Sequence, residues 1–170
     1  MIVRSLATVG LCASAVVFGA ACSSIPSADA MRAYNQPIVG TWPVAASVRV
    51  TGGQNFAFRI GNAEFEKALR DSIVDAGVFS AVVAVGTGEY QLDVVLGDGH
   101  GMEARELTVL WSVSRVPTHE VVWQEFVTSR GRSHHFLGVT RQRRSLEMAA
   151  QENIRLGIEA LSRAELDAPL

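Results

Sequence analysis

The chain has 170 residues, 48% of them hydrophobic, 19% charged and 7% aromatic, with a formal net charge of −2. That length suits one compact domain and leaves no room for two full cores, and the near-neutral balance excludes a dedicated nucleic-acid binder. Leucine, isoleucine, valine and phenylalanine are too frequent for a disordered chain.

The charge is unevenly spread. Arg4 is the only charged residue before Asp29, and residues 1–21 read as an export signal. Arg4 supplies a positive start, Leu6 to Phe18 an apolar stretch, and Gly19, Ala20 and Ala21 a small-residue cleavage site. Cys22 follows, then Ser23 and Ser24. This arrangement resembles the lipobox of bacterial lipoproteins, with Gly19 where that family usually has leucine. The resemblance implies that Cys22 is acylated and becomes the new N-terminus. Ser23 after it implies sorting to the outer membrane. A plain secreted chain and an uncleaved membrane helix over Ser5 to Ala28 are the competing readings. Of the two cysteines, Cys12 lies in the discarded segment. The mature chain then holds one cysteine and no intrachain disulfide, and acylation accounts for the odd thiol.

Residues 22–43 contain Pro26, Pro37 and Pro43 and no hydrophobic period, so a flexible linker is expected after the lipidated cysteine. From Val44 to Val50 alternate residues are apolar, which predicts a strand. Asn62 to Ala76 places Phe65, Leu69, Ile73 and Ala76 at helical spacing, with Gly77 as the C-terminal cap. Val78 to Val85 reads as a second strand. Glu89 to Leu96 and Glu106 to Val116 alternate wet and dry positions and read as antiparallel strands, and Val121 to Ser129, holding Trp123 and Phe126, reads as a further strand. Ser145 to Ala164 closes the chain as a helix whose apolar face carries Leu146, Ala149, Ala150, Ile154, Ile158 and Leu161. Asn153 beside that stripe reads as a buried structural amide. The order β-α-β-β-β-β-α specifies an α+β two-layer sandwich over 44–166. Two helices cover one face of a mainly antiparallel four- to five-stranded sheet, and 167–170 form a tail.

Signals for chemistry are sparse. Gly86 to Gly88 and Gly97 to Gly101 precede strands rather than helices, so they read as hairpin turns and not phosphate cradles. His100, His119, His134 and His135 lack metal-ligand spacing, and no nucleophile elbow occurs. Asp93, Glu103, Glu106, Glu120 and Glu125 are scattered over strands and turns. No catalytic residue, metal site or cofactor is expected. The unusual stretch is 130–144, where Arg130, Arg132, Arg141, Arg143 and Arg144 concentrate positive charge suited to an anionic partner. The competing reading is a solvated connection whose arginines pair with Glu147 and Glu152.

Together these features resemble small bacterial envelope lipoproteins: auxiliary lipoproteins of ABC-type lipid transport systems, LPS-assembly lipoproteins and YajG-like lipoproteins. The likeness rests on the Cys22 lipobox, the Phe65 and Leu69 helix before a valine-rich strand, the run Gly88 to Leu92, and the final helix. It spans most of residues 44–164 as a pattern of elements. It implies a membrane-anchored, non-enzymatic adaptor or accessory subunit of a lipid-transport or assembly system. Its location would be the outer membrane facing the periplasm, and its partner an envelope protein rather than a nucleic acid. Direct binding of a lipid or glycolipid is the alternative, and a cell-wall hydrolase the third reading.

Overall fold

The computed structural model describes residues 25–54, 59–97 and 106–166. Its elements are α1 (Ala28–Met31), β1 (Trp42–Thr51), α2 (Asn62–Ala76), β2 (Phe79–Val83), β3 (Tyr90–Leu96), β4 (Glu106–Arg115), β5 (Val121–Arg130) and α3 (Gly138–Arg163). The five strands form one open sheet in the order β2-β1-β3-β4-β5. The α+β class and the order of strands and long helices are those expected from the sequence. The sheet is mixed: β1 runs parallel to both β2 and β3, while β3, β4 and β5 are antiparallel neighbours.

Alternation decides which face is buried. Val48 and Val50 of β1, Leu92 and Val94 of β3, and Val109, Trp111 and Val113 of β4 all point into the core. On α2, Phe65, Leu69 and Ile73 recur every four residues and are fully buried. The helix stops at Gly77, whose φ of 67° is left-handed and whose N–H reaches Ile73 O at 3.0 Å, as a glycine cap should. β2 ends early against β1, and α2 completes that edge. Arg70 donates from Nη2 to Val48 O at 2.7 Å and from Nη1 to Val83 O at 3.3 Å.

Two details differ from expectation. The Gly86 to Gly88 segment is not a hairpin turn, because β2 and β3 lie parallel on opposite sides of β1. Residues 84–89 carry the chain across, and Glu89 N–H then bonds Ala45 O at 3.0 Å. Gly88, at φ 87°, passes so close that a Cβ there would lie 2.8 Å from Ala45 O. The second difference is that α3 begins at Gly138, seven residues before the expected start.

α3 is fixed to the sheet by polar contacts inside the apolar core, centred on Asn153. Asn153 is fully buried. Its Oδ1 accepts from Trp111 Nε1 at 3.1 Å, and its Nδ2 donates to Val127 O at 2.8 Å and Leu107 O at 3.3 Å. One turn on, Gly157 lies against the Trp111 ring, and a Cβ there would sit 2.2 Å from the indole. Ser129 Oγ donates to Ala149 O at 2.7 Å, and Ser133 N–H donates to Ser145 Oγ at 3.1 Å.

Two substitutions test this junction. Asn153→Ala leaves the buried indole N–H without its acceptor beside a void and should cost about 2–4 kcal/mol. Urea unfolding should show a lower midpoint at unchanged slope; a change below about 0.5 kcal/mol would place the amide among ordinary surface sites. Gly157→Ala overpacks the indole and should cost about 1–3 kcal/mol. That cost should shrink when Trp111→Leu is added, since the two residues touch.

Candidate functional site

The stretch expected to be a linker is, from Ile25 onward, bound along the helical layer. Ser27 N–H reaches Glu147 Oε1 at 3.3 Å, near the start of α3. Arg32 O accepts from Gln151 Nε2 at 2.8 Å, and Ala33 N–H donates to Ser72 Oγ of α2 at 3.0 Å. Val39 N–H donates to Ser162 Oγ at 3.2 Å, near the end of α3. Arg32 also pairs with Asp75. Residues 25–40 therefore run as a strap in the same direction as α3, burying Met31 and Ala33. Isolated segments without a ladder need such partners to hold their backbone groups.

The arginine stretch starts where the strap does. Arg130 ends β5 and pairs across the strands with Glu106 at 2.7 Å. Arg143 and Arg144 both approach Glu147, at 3.7 and 3.1 Å. The Glu147 side chain is buried, so one carboxylate joins two arginines to the incoming chain at Ser27. Arg132 and Arg141 are exposed and have no carboxylate partner among the described residues. The pairing expected for these arginines thus holds for Glu147, while Glu152 is taken by Arg155 at 2.7 Å. Cys22 lies outside the described residues.

Sequence reasoning missed what sits between these arginines. Phe136 is 97% exposed, and Leu137 and Val139 are also exposed. They occupy the tip joining β5 to α3, and α3 continues for two turns from Gly138 before Ser145 meets the body of the domain. Three apolar residues within four positions beside a cluster of arginines were the available signal.

The carboxylates singled out from the sequence do not converge. Asp93 pairs with Arg49, Glu106 with Arg130 and Glu120 with Arg115, while Glu125 is exposed and Glu103 lies outside the described residues. His119 forms a tight turn at φ 57°, and His134 and His135 are exposed; His100 is not among the described residues. Among those residues, no three His, Cys, Asp or Glu side chains are grouped to hold a metal. A cleft between Gly53, Ile60, Leu96, Glu106 and Leu146 has about 30 Å³ of room, enough for a water or two. On α3, Arg155 holds the Glu152 carboxyl below the usual carboxylate range through a hydrogen bond. The pair's contribution is therefore present at neutral pH and fades as acid protonates Glu152; exposure keeps it small.

The open face of the sheet is the other notable surface. Thr51, Val95, Leu110 and Phe126 are register neighbours in one row across β1, β3, β4 and β5. Phe126 is 69% exposed and Val95 is exposed as well. The adjacent row is polar: Arg49, Asp93, Ser112 and Gln124.

Neither a protein-family model nor a curated protein matches this chain. Solved structures are similar to it. XCC0632 from Xanthomonas campestris, described by the family model DUF330, aligns with TM-score 0.60 and 10% identity over 80% of this chain and 92% of that one. A PelC dodecamer from Paraburkholderia phytofirmans aligns with TM-score 0.52 and 15% identity, covering 75% of this chain and 94% of the other. Protein CT253 from Chlamydia trachomatis aligns with TM-score 0.53 and 10% identity over 71% and 96%. At these identities the likeness shows a shared fold.

Glu147→Ala should release the start of the strap, leaving Ser27 N–H and two arginines without their acceptor, at about 1–3 kcal/mol. Hydrogen exchange should quicken over residues 27–33 and stay unchanged in the middle of β4. Unaltered exchange over 27–33 would mean that Glu147 does not hold the strap.

Proposed function

We propose that the mature chain is a lipid-anchored bacterial envelope protein that binds another envelope protein and catalyses no reaction. Acylated Cys22 supplies the anchor, and the membrane is the outer one with the domain facing the periplasm. The observation that carries the partner-binding reading is the open sheet face with its exposed apolar row ending at Phe126. A sheet face that leaves Val95 and, on the edge strand β5, Phe126 uncovered offers a site for contact with another protein. The resemblance of the sequence to auxiliary and assembly lipoproteins makes a lipid-transport or assembly machine the class of partner expected. A neighbour of the same fold that assembles as a dodecamer fits a scaffold that works through its surfaces.

Direct lipid binding is the second reading. The cleft at the end of the sheet favours it little, because about 30 Å³ is far less than an acyl chain fills. The separate pairing of Asp93, Glu106 and Glu120 with arginines likewise gives a hydrolase no converging acid and base.

Two experiments decide between these outcomes. Cys22→Ser should move the protein from the membrane to the soluble fraction; continued retention would contradict the lipid anchor. A photo-crosslinker at Phe126 in intact cells should join one defined envelope protein, with none at Val74, an exposed residue of α2. Equal products at both positions, or none at Phe126, would contradict the adaptor reading. Phe126→Asp should abolish the adduct formed from a second crosslinker at Gln124 without lowering stability by more than about 0.5 kcal/mol.

A further inference from the structure

We infer that the tip joining β5 to α3 lies in the membrane interface, with Phe136, Leu137 and Val139 inserted and the surrounding arginines on anionic lipid headgroups. The inference rests on the reading of Cys22 as the anchor and goes beyond it, because an anchor alone leaves orientation open.

The leash between the anchor and the domain is short. A 22-residue linker would let the domain tumble freely beneath the bilayer. The strap removes most of that freedom, since Ser27 is already held by Glu147. Only four residues separate Ser27 from Cys22, so the lipidated end lies at most about 18 Å away. Glu147 is one turn from Arg143 and Arg144. Whatever membrane holds Cys22 is therefore within reach of this end of α3.

This end of α3 displays apolar and cationic side chains together. The first seven residues of α3 project about 10 Å beyond Ser145, and Phe136, Leu137 and Val139 stand exposed at or beside the tip. In water these side chains gain nothing from exposure. At an interface, apolar groups sink below the headgroups while arginine stems follow the apolar surface and place their guanidinium groups on phosphates. Arg130, Arg132, Arg141, Arg143 and Arg144 flank the tip in sequence, and among the described residues the carboxylates in salt bridges with them are Glu106 and Glu147. Among the described residues the surplus is positive, which selects an anionic surface.

Docking of this end also sets the orientation of the domain. With the start of α3 on the bilayer, the helix carries its far end, about 39 Å away, into the aqueous space. The strands run off the same end, since β5 finishes at Arg130 where the tip begins. The Phe126 row then faces sideways and stays open to a partner.

A nitroxide at Phe136→Cys tests this in the protein purified from membranes and reconstituted into vesicles of phosphatidylethanolamine and phosphatidylglycerol. Val121→Cys, at the opposite end of β5 and about 30 Å away, is the reference. The label at 136 should be accessible to dissolved oxygen and shielded from an aqueous nickel relaxant, with the reverse at 121. Labels that are aqueous at both positions, in protein that stays with the vesicles, overturn the docking and leave the anchor standing; the tip is then a protein-binding surface. A second label appearing on Cys22 reveals a free thiol and overturns the anchor and the docking together. Arg132→Glu combined with Arg141→Glu should shift the 136 label toward water. An unchanged depth would overturn the role of anionic lipid.

Discussion

The surfaces of this protein depend on how α3 is locked to the sheet, and the centre of that lock is the buried amide of Asn153, with Ser129 bonded to Ala149 O beside it. Asn153 spends its carbonyl on an indole that can only donate and its amino group on carbonyls from β4 and β5. This pattern fixes both the amide orientation and the position of the helix along the strands. A purely apolar helix face could slide by a turn or rotate at modest cost. A buried amide with three partners cannot, because each lost bond leaves a desolvated group. Gly157 adds a steric condition, since only glycine leaves room for Trp111 at that crossing.

Once α3 is placed, the rest follows along its length. The side of α3 that the strap covers presents Glu147, Gln151 and Ser162 in sequence, and the strap meets these groups in the same order with its own backbone. The chain therefore enters at the arginine-rich end of the helix and reaches β1 at the other. The proposed membrane end and partner face thereby fall in separate regions of one small domain. The helices and strap occupy one side of the sheet, the tip projects from one end, and the Phe126 row occupies the other face.

Much of this was legible in the residues because apolar periodicity reports burial. Phe65, Leu69 and Ile73 announced α2, Tyr90 to Leu96 and Leu107 to Val113 announced the central strands, and Asn153 was already identifiable as a buried amide. The strap was not legible. Its backbone is held by side chains more than a hundred residues distant at Glu147, Gln151 and Ser162, and such pairing leaves no local period. The early start of α3 was hidden for the opposite reason: its first two turns touch no core, so they carry arginines rather than an apolar stripe. The parallel placement of β2 and β3 around β1 also escaped reading, because a glycine-rich connection can serve a hairpin or a crossing. The arginine cluster was visible as charge, but its division between Glu106 and the buried Glu147 needed the folded chain.

The central claim is that a domain strapped to its own helices is held at a membrane by a short lipidated leash. The most direct test is the mass of the N-terminal peptide from protein isolated from membranes of its native host. The account predicts a chain that begins at Cys22 and carries the added mass of acyl groups. A chain that begins at Met1, or one cleaved elsewhere with an unmodified Cys22, would contradict it.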